Sequence, residues 1–113
     1  MLQADDIVVC ALVEPEIYAT LNRLRREGSL FQSNYERIVS ALIADLQGFV
    51  IHPIDRATMQ SARSLLERYP LRAADALHLA TAGIIAVDAF VCSDQRLKQA
   101  AIGERLVVVD PCE

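Results

Sequence analysis

The chain has 113 residues, of which 53 % are apolar, 23 % charged and 5 % aromatic, with no Trp. That is the length of one domain, taken here as residues 1–113, with ample aliphatic material for a core, and it argues against disorder. A net charge of −4 argues against general electrostatic attraction to nucleic acid, while leaving room for an RNA held through metal ions and a few local arginines. Cys10, Cys92 and Cys112 have no framework spacing, and with no signal peptide visible they point to a reducing cytoplasm. The longest apolar region, about Ala73 to Val91, contains Asp75, His78 and Asp88 and falls short of the ~18–20 uncharged residues of a membrane span.

Ile7 to Leu12 is a short β-branched run and reads as a buried strand. Pro15 suits the first turn of a helix with Ile17, Leu21 and Leu24 at helical spacing, stopped at Gly28. Glu16 lies in that first turn, and Arg23, Arg25 and Arg26 make a basic end. Ser33-Asn34-Tyr35-Glu36 matches a capping box for a helix through Ile38, Leu42 and Leu46 that stops at Gly48. Phe49 to Ile54 reads as a second strand, shortened by Pro53. Asp55 is placed to cap a third helix with Met59, Ala62, Leu65 and Leu66 inward. Pro70 separates it from a nearly all-apolar helix carrying Asp75 and His78. A strand at Ala89–Ser93 follows, then Asp94 as the cap of a short helix ended by Gly103. Leu106 to Val109 is the last strand.

Short strands alternating with helices, without a hairpin signal, predict an α/β fold with a mostly parallel sheet. Continuously apolar strands predict helices on both faces. In such a sheet the strand C-terminal ends share one edge, where ligands bind. Glu16 and Asp94 belong to that edge. Asp75 is undecided, because its helix feeds the third strand from the opposite side unless its N-terminal half overhangs the site. Clustered carboxylates repel unless a cation sits between them, and all-oxygen ligation favours Mg²⁺ or Mn²⁺ over zinc. Such an ion lowers the pKa of water and stabilises in-line displacement at a phosphodiester. Each residue also has an ordinary reading: Asp94 as a cap, Glu16 as a dipole partner, His78 as a hydrogen-bonded core histidine, Cys10 and Cys92 as small hydrophobes, and the arginines as a solvated helix end.

The segment Leu71-Arg72-Ala73-Ala74-Asp75-Ala76-Leu77-His78-Leu79-Ala80-Thr81-Ala82 resembles the PIN-domain ribonucleases, in particular the VapC-type toxins of toxin–antitoxin pairs. Phe90-Val91-Cys92-Ser93-Asp94-Gln95-Arg96-Leu97 supports the resemblance, as does Glu16-Ile17-Tyr18 after the first strand. It implies a three-layer α/β/α fold and an endonuclease that cuts single-stranded RNA with Mg²⁺ or Mn²⁺. The implied catalytic and metal-binding acids are Glu16, Asp75 and Asp94, which requires the overhanging arrangement for Asp75. Arg72 and Arg96 are candidates for phosphate contact, beside surface or salt-bridge roles. A homodimer and an antitoxin that blocks the site are implied as well.

Two departures from the family pattern stand out. The family opens with a strand of the type apolar-apolar-Asp-Ser/Thr-Ser/Ala whose Asp is a central ligand, and nothing here matches it. Asp5-Asp6 precede a strand corresponding to the family's second, so they lie at the wrong end. Losing the central first strand exposes two strand edges. Cys10 and Cys92 also stand where the family usually offers a hydroxyl. The expectations are then a truncated copy, a short variant that re-pairs its strands or exchanges elements with a second subunit, or a non-catalytic PIN-like module that dimerises or holds an antitoxin. A response-regulator-like α/β domain ranks lower, since no acidic pair ends the first strand and no suitably placed lysine follows.

Overall fold

The computed structural model describes residues 6–112, so Asp5 of the early acidic pair lies outside it. Five helices and four strands are described, in the α/β order the sequence predicts. Residues up to Ile51 pack as one compact unit and those from His52 onward as a second.

The first unit holds β1 (Val8–Cys10), α1 (Val13–Arg26), α2 (Gln32–Leu46) and most of β2 (Val50–His52). β1 pairs with β2, and the Val50 N–H donates to the Ile7 carbonyl at 2.8 Å. Pro15 falls in the first turn of α1 beside Glu14 and Glu16, while Arg23, Arg25 and Arg26 fill its last turn, so both ends complement the helix dipole. Gly28 follows the helix at φ 84°, a left-handed position that only glycine takes without strain. α1 and α2 meet through Asn22, which donates to the Tyr35 hydroxyl at 3.1 Å, and through the Arg25 guanidinium, 5.0 Å above the Tyr35 ring. The capping box expected at Ser33 does not form. α2 starts two residues earlier, with Phe31 at the N-cap and no side-chain cap bond. Glu36, which the box would need, is taken by Gln32 Nε2 at 3.1 Å.

The second unit holds α3 (Arg56–Arg68), α4 (Ala73–Ile85), β3 (Phe90–Val91), α5 (Gln95–Gly103) and β4 (Val108–Val109). Asp55 caps α3 as predicted, accepting from the Thr58 N–H at 2.9 Å and from the Thr58 hydroxyl at 2.7 Å. His52 Nε2 lies 3.1 Å from the same hydroxyl, so Thr58, fully buried, has its polar atom paired. Ala62 and Leu65 face inward as expected, but Met59 and Leu66 are 45 % and 42 % exposed. Thr58, Ala62 and Leu65 follow one i, i+4, i+7 stripe, and Met59 and Leu66 sit one position round the helix from it.

The core is built where α4 meets α3 and α5: Ala76, Leu79 and Ala80 from α4, Ala62 and Leu65 from α3, and Leu97, Ala100 and Ala101 from α5. Phe90 and Val108 cover it from the parallel β3–β4 pair, in register Phe90↔Val108 and Val91↔Val109. The alternate positions do not gain the second cover expected from continuous apolar runs. Val91, Val107 and Val109 are each about half or more exposed. Hydropathy alone cannot separate a strand covered on both faces from one covered on a single face. At the far end of the unit, Tyr69 donates to Glu104 at 2.8 Å and Arg68 pairs with the same carboxylate at 2.5 Å, fixing the end of α3 to the end of α5.

Candidate active site

Pro70 and Leu71 end the extended link after α3, and Arg72 occupies the N-cap of α4 in extended conformation without a side-chain cap bond. Asp75 is therefore the acid of the first turn, at the positive end of the helix, with its side chain 18 % exposed. Arg72 Nε lies 3.3 Å from Asp75 Oδ2, one turn back. Asp94 sits at the N-cap of α5, where Oδ1 accepts from the Leu97 N–H at 2.9 Å. One of its two oxygens is thus committed to the helix end.

These two helix starts converge. Pro70, Leu71, Arg72, Asp75, Asp94, Gln95 and Arg96 line one open cleft of about 690 Å³. Asp75, which the residue pattern left undecided, lines the same cleft as Asp94. Arg72 and Arg96 flank the two acids there. Glu16 lies on α1 in the first unit, partly buried, with its N–H bonded to the Leu12 carbonyl at 3.2 Å. Among the described residues, no group of three or more His, Cys, Asp and Glu side chains is arranged to hold a metal ion.

A further acid belongs to the same sheet edge. β3 and β4 are parallel, the Cys92 N–H donates to the Val109 carbonyl at 3.1 Å, and Asp110 follows directly. Its Oδ1 accepts from the Cys112 N–H at 2.9 Å and its Oδ2 lies 3.2 Å from Lys98 Nζ of α5. Both side chains of that ion pair are largely buried, at 15 % and 5 % exposed. The Cys112 N–H holds the Asp110 carboxyl below its ordinary value, with help from Lys98. Sequence reasoning passed over Asp110, although the rule that found Asp94, an acid just past a buried strand, points to it equally. Cys10 is buried, Cys92 half-buried and Cys112 exposed, and all three thiols are free. Burial pushes the Cys92 thiol up, and the Asp110 charge adds to the effect.

Two helix starts thus bring two carboxylates and two arginines to one cleft of an α/β chain. The PIN domain family model matches residues 1–103, and the chain belongs to that family. PIN domains are generally nucleases and often depend on divalent metal ions. No curated protein matches the chain. Among the described residues no helix is long and apolar enough to cross a membrane.

Proposed function

We propose that the chain is a metal-dependent endoribonuclease of the VapC-type toxin class, acting on single-stranded RNA. The observation that carries this reading is the convergence of Asp75 and Asp94 on one cleft flanked by Arg72 and Arg96, in a PIN-family chain. The donor set fits a hard divalent ion, because both acids offer carboxylate oxygen and Mg²⁺ is commonly held by one or two carboxylates while it keeps several waters. Asp75 and Asp94 would hold Mg²⁺ or Mn²⁺, with Glu16 as the third acid of the family pattern. Bound there, such an ion supplies Lewis acidity at a phosphodiester and a water acidic enough to react near neutral pH.

The chain's own residues define the rest. Asp94 is fixed by its cap bond, so it presents its carboxylate without losing side-chain freedom on binding. Arg72 is 82 % exposed and can exchange Asp75 for a phosphate oxygen, and Arg96 stands on the other helix start. Each arginine offers fork-shaped donors that match phosphate geometry. With two carboxylates on the cleft and one already paired, cation affinity and activity are low. In the same reading the protein is cytoplasmic, forms a homodimer and is held by an antitoxin protein, and the three free thiols suit a reducing compartment.

The second reading is a non-catalytic PIN-like module that binds a protein partner. The Arg72–Asp75 pair favours it, together with the lack of a three-ligand group among the described residues. Thermal melting with and without Mn²⁺, beside Asp75→Asn, separates the two. A ligand that binds only the folded state raises its stability by mass action. A nuclease site gives a Mn²⁺-dependent rise that the variant loses. Equal curves for both proteins with and without Mn²⁺ refute it and leave the binding module.

A further inference from the structure

We propose that Arg72 couples the two ligands of the cleft: it neutralises Asp75 when no cation is bound, and when that carboxylate takes up a divalent cation the guanidinium moves to a phosphate of the RNA. This rests on the metal-site reading above and adds to it a linkage between cation and substrate.

The two members of the pair differ sharply in burial. The Asp75 side chain is 18 % exposed and that of Arg72 is 82 % exposed. A carboxylate so far withdrawn from water is costly without a countercharge. Arg72 supplies one through Nε, 3.3 Å from Oδ2, a long contact rather than the two-pronged grip that arginine can offer a carboxylate. The guanidinium is already mostly solvated, so Arg72 gives up this contact at little cost. A divalent ion on the same carboxylate doubles the countercharge, and like charges sharing one carboxylate repel. Arg72 stays at the cleft when it lets go. Its backbone forms the N-cap of α4 in extended conformation, and it lines the cleft together with Arg96. A phosphate oxygen is the RNA group that matches a released guanidinium. Asp94 is held differently, by the Leu97 N–H at 2.9 Å from Oδ1, so filling it sets no arginine free. Cation and RNA thus favour each other through one ion pair, and by reciprocity each raises the other's affinity by the same factor. A pair with one exposed member limits that factor to roughly 1.5- to 5-fold.

The test measures each ligand alone on the full chain. Fluorescence anisotropy of a labelled single-stranded oligoribonucleotide in EDTA gives RNA affinity without cleavage, and the Mn²⁺ dependence of the melting temperature gives cation affinity. Asp75→Asn and Asp94→Asn remove the same charge from the same cleft, and Asn caps α5 about as well as Asp does. Only the first of them releases Arg72. Asp75→Asn should therefore tighten RNA binding roughly 1.5- to 5-fold more than Asp94→Asn does, and that excess should vanish in an Arg72→Met background. Arg72→Met alone should raise apparent Mn²⁺ affinity by a comparable factor. Equal gains from the two Asn variants, an excess that survives Arg72→Met, no oligonucleotide binding by any of them, or an Arg72→Met protein that binds Mn²⁺ no better than the parent overturns the proposal while the metal site stands. A parent with no Mn²⁺ response removes the metal-site reading and this inference with it.

Discussion

Replacing Gly103 by alanine should destabilise the protein, although alanine is the better helix former. Gly103 is the last residue of α5, and a Cβ there would lie 2.5 Å from the Tyr69 hydroxyl oxygen and 3.1 and 3.2 Å from two ring carbons. The ring has little freedom to retreat. It packs against the core cluster, its hydroxyl donates to Glu104 at 2.8 Å, and the Arg68 guanidinium lies 5.4 Å from its centroid. Helix propensity returns at most ~1 kcal/mol, and less at a helix end. Overpacking a fixed neighbour costs about 1–3 kcal/mol. We expect a net loss of about 1–2 kcal/mol, a fall of roughly 4–8 °C in Tm for a domain of this size. Gly103→Ala, Tyr69→Phe and the double variant, followed by thermal denaturation, isolate the cause. With the hydroxyl gone the shortest contact disappears and those at 3.1 and 3.2 Å remain. Gly103→Ala should then cost half as much or less in the Tyr69→Phe background. An equal loss in both backgrounds, or a gain in stability, refutes the reasoning.

Three further outcomes follow from other parts of the fold. Leu79 is 2 % exposed at the centre of the core, so Leu79→Ala should cost about 2–5 kcal/mol, and a chemical-denaturation shift under 1 kcal/mol would contradict that placement. Ala86 closes α4 at φ 58°, a left-handed position, so Ala86→Gly should stabilise by about 0.5–1 kcal/mol, and a lower Tm would argue against it. Asp55, Glu104 and Asp110 are held below their ordinary values, chiefly by the Thr58 N–H, by Arg68 and by the Cys112 N–H respectively. A depressed folded value contributes stability that is present above the unfolded value and lost as pH falls through the folded one. Tm should therefore not respond to these groups between pH 7 and about 5 and should drop below roughly pH 4, and Glu104→Gln should make that drop shallower. A drop of unchanged steepness would assign the acid sensitivity to other groups.

What the sequence revealed depended on how local each signal is. The caps at Asp55 and Asp94 need only the residue three positions on, so both were legible and both are observed. Gly28 and Pro15 carry their meaning in their own backbones, and each stands where expected. Ser33 matched a local pattern that lost its partner to Gln32, a competition that spacing does not reveal. The position of Asp75 was a long-range matter. Which sheet edge a helix start overhangs is decided by how α4 packs on α3 and α5, and no residue near Asp75 encodes it. Asp110 was hidden for the same reason, since its pairing with Lys98 spans twelve residues and follows from strand register.

The alanines of the core bear on how finely the cleft is set. Ala76, Ala80, Ala100 and Ala101 all belong to the cluster where α4 meets α5, and Ala76, Ala100 and Ala101 have no exposed surface. Methyl groups have no rotamers to adjust, so the two backbones keep a separation that thermal motion alters little. Ala76 directly follows Asp75, and Ala100 lies six residues beyond Asp94. These side chains act as a gauge block in the cluster that α4 and α5 share. Enlarging any one of them would force α4 and α5 against neighbours with no space to yield, so the packing behind the cleft depends on residues that contribute no polar atom to it.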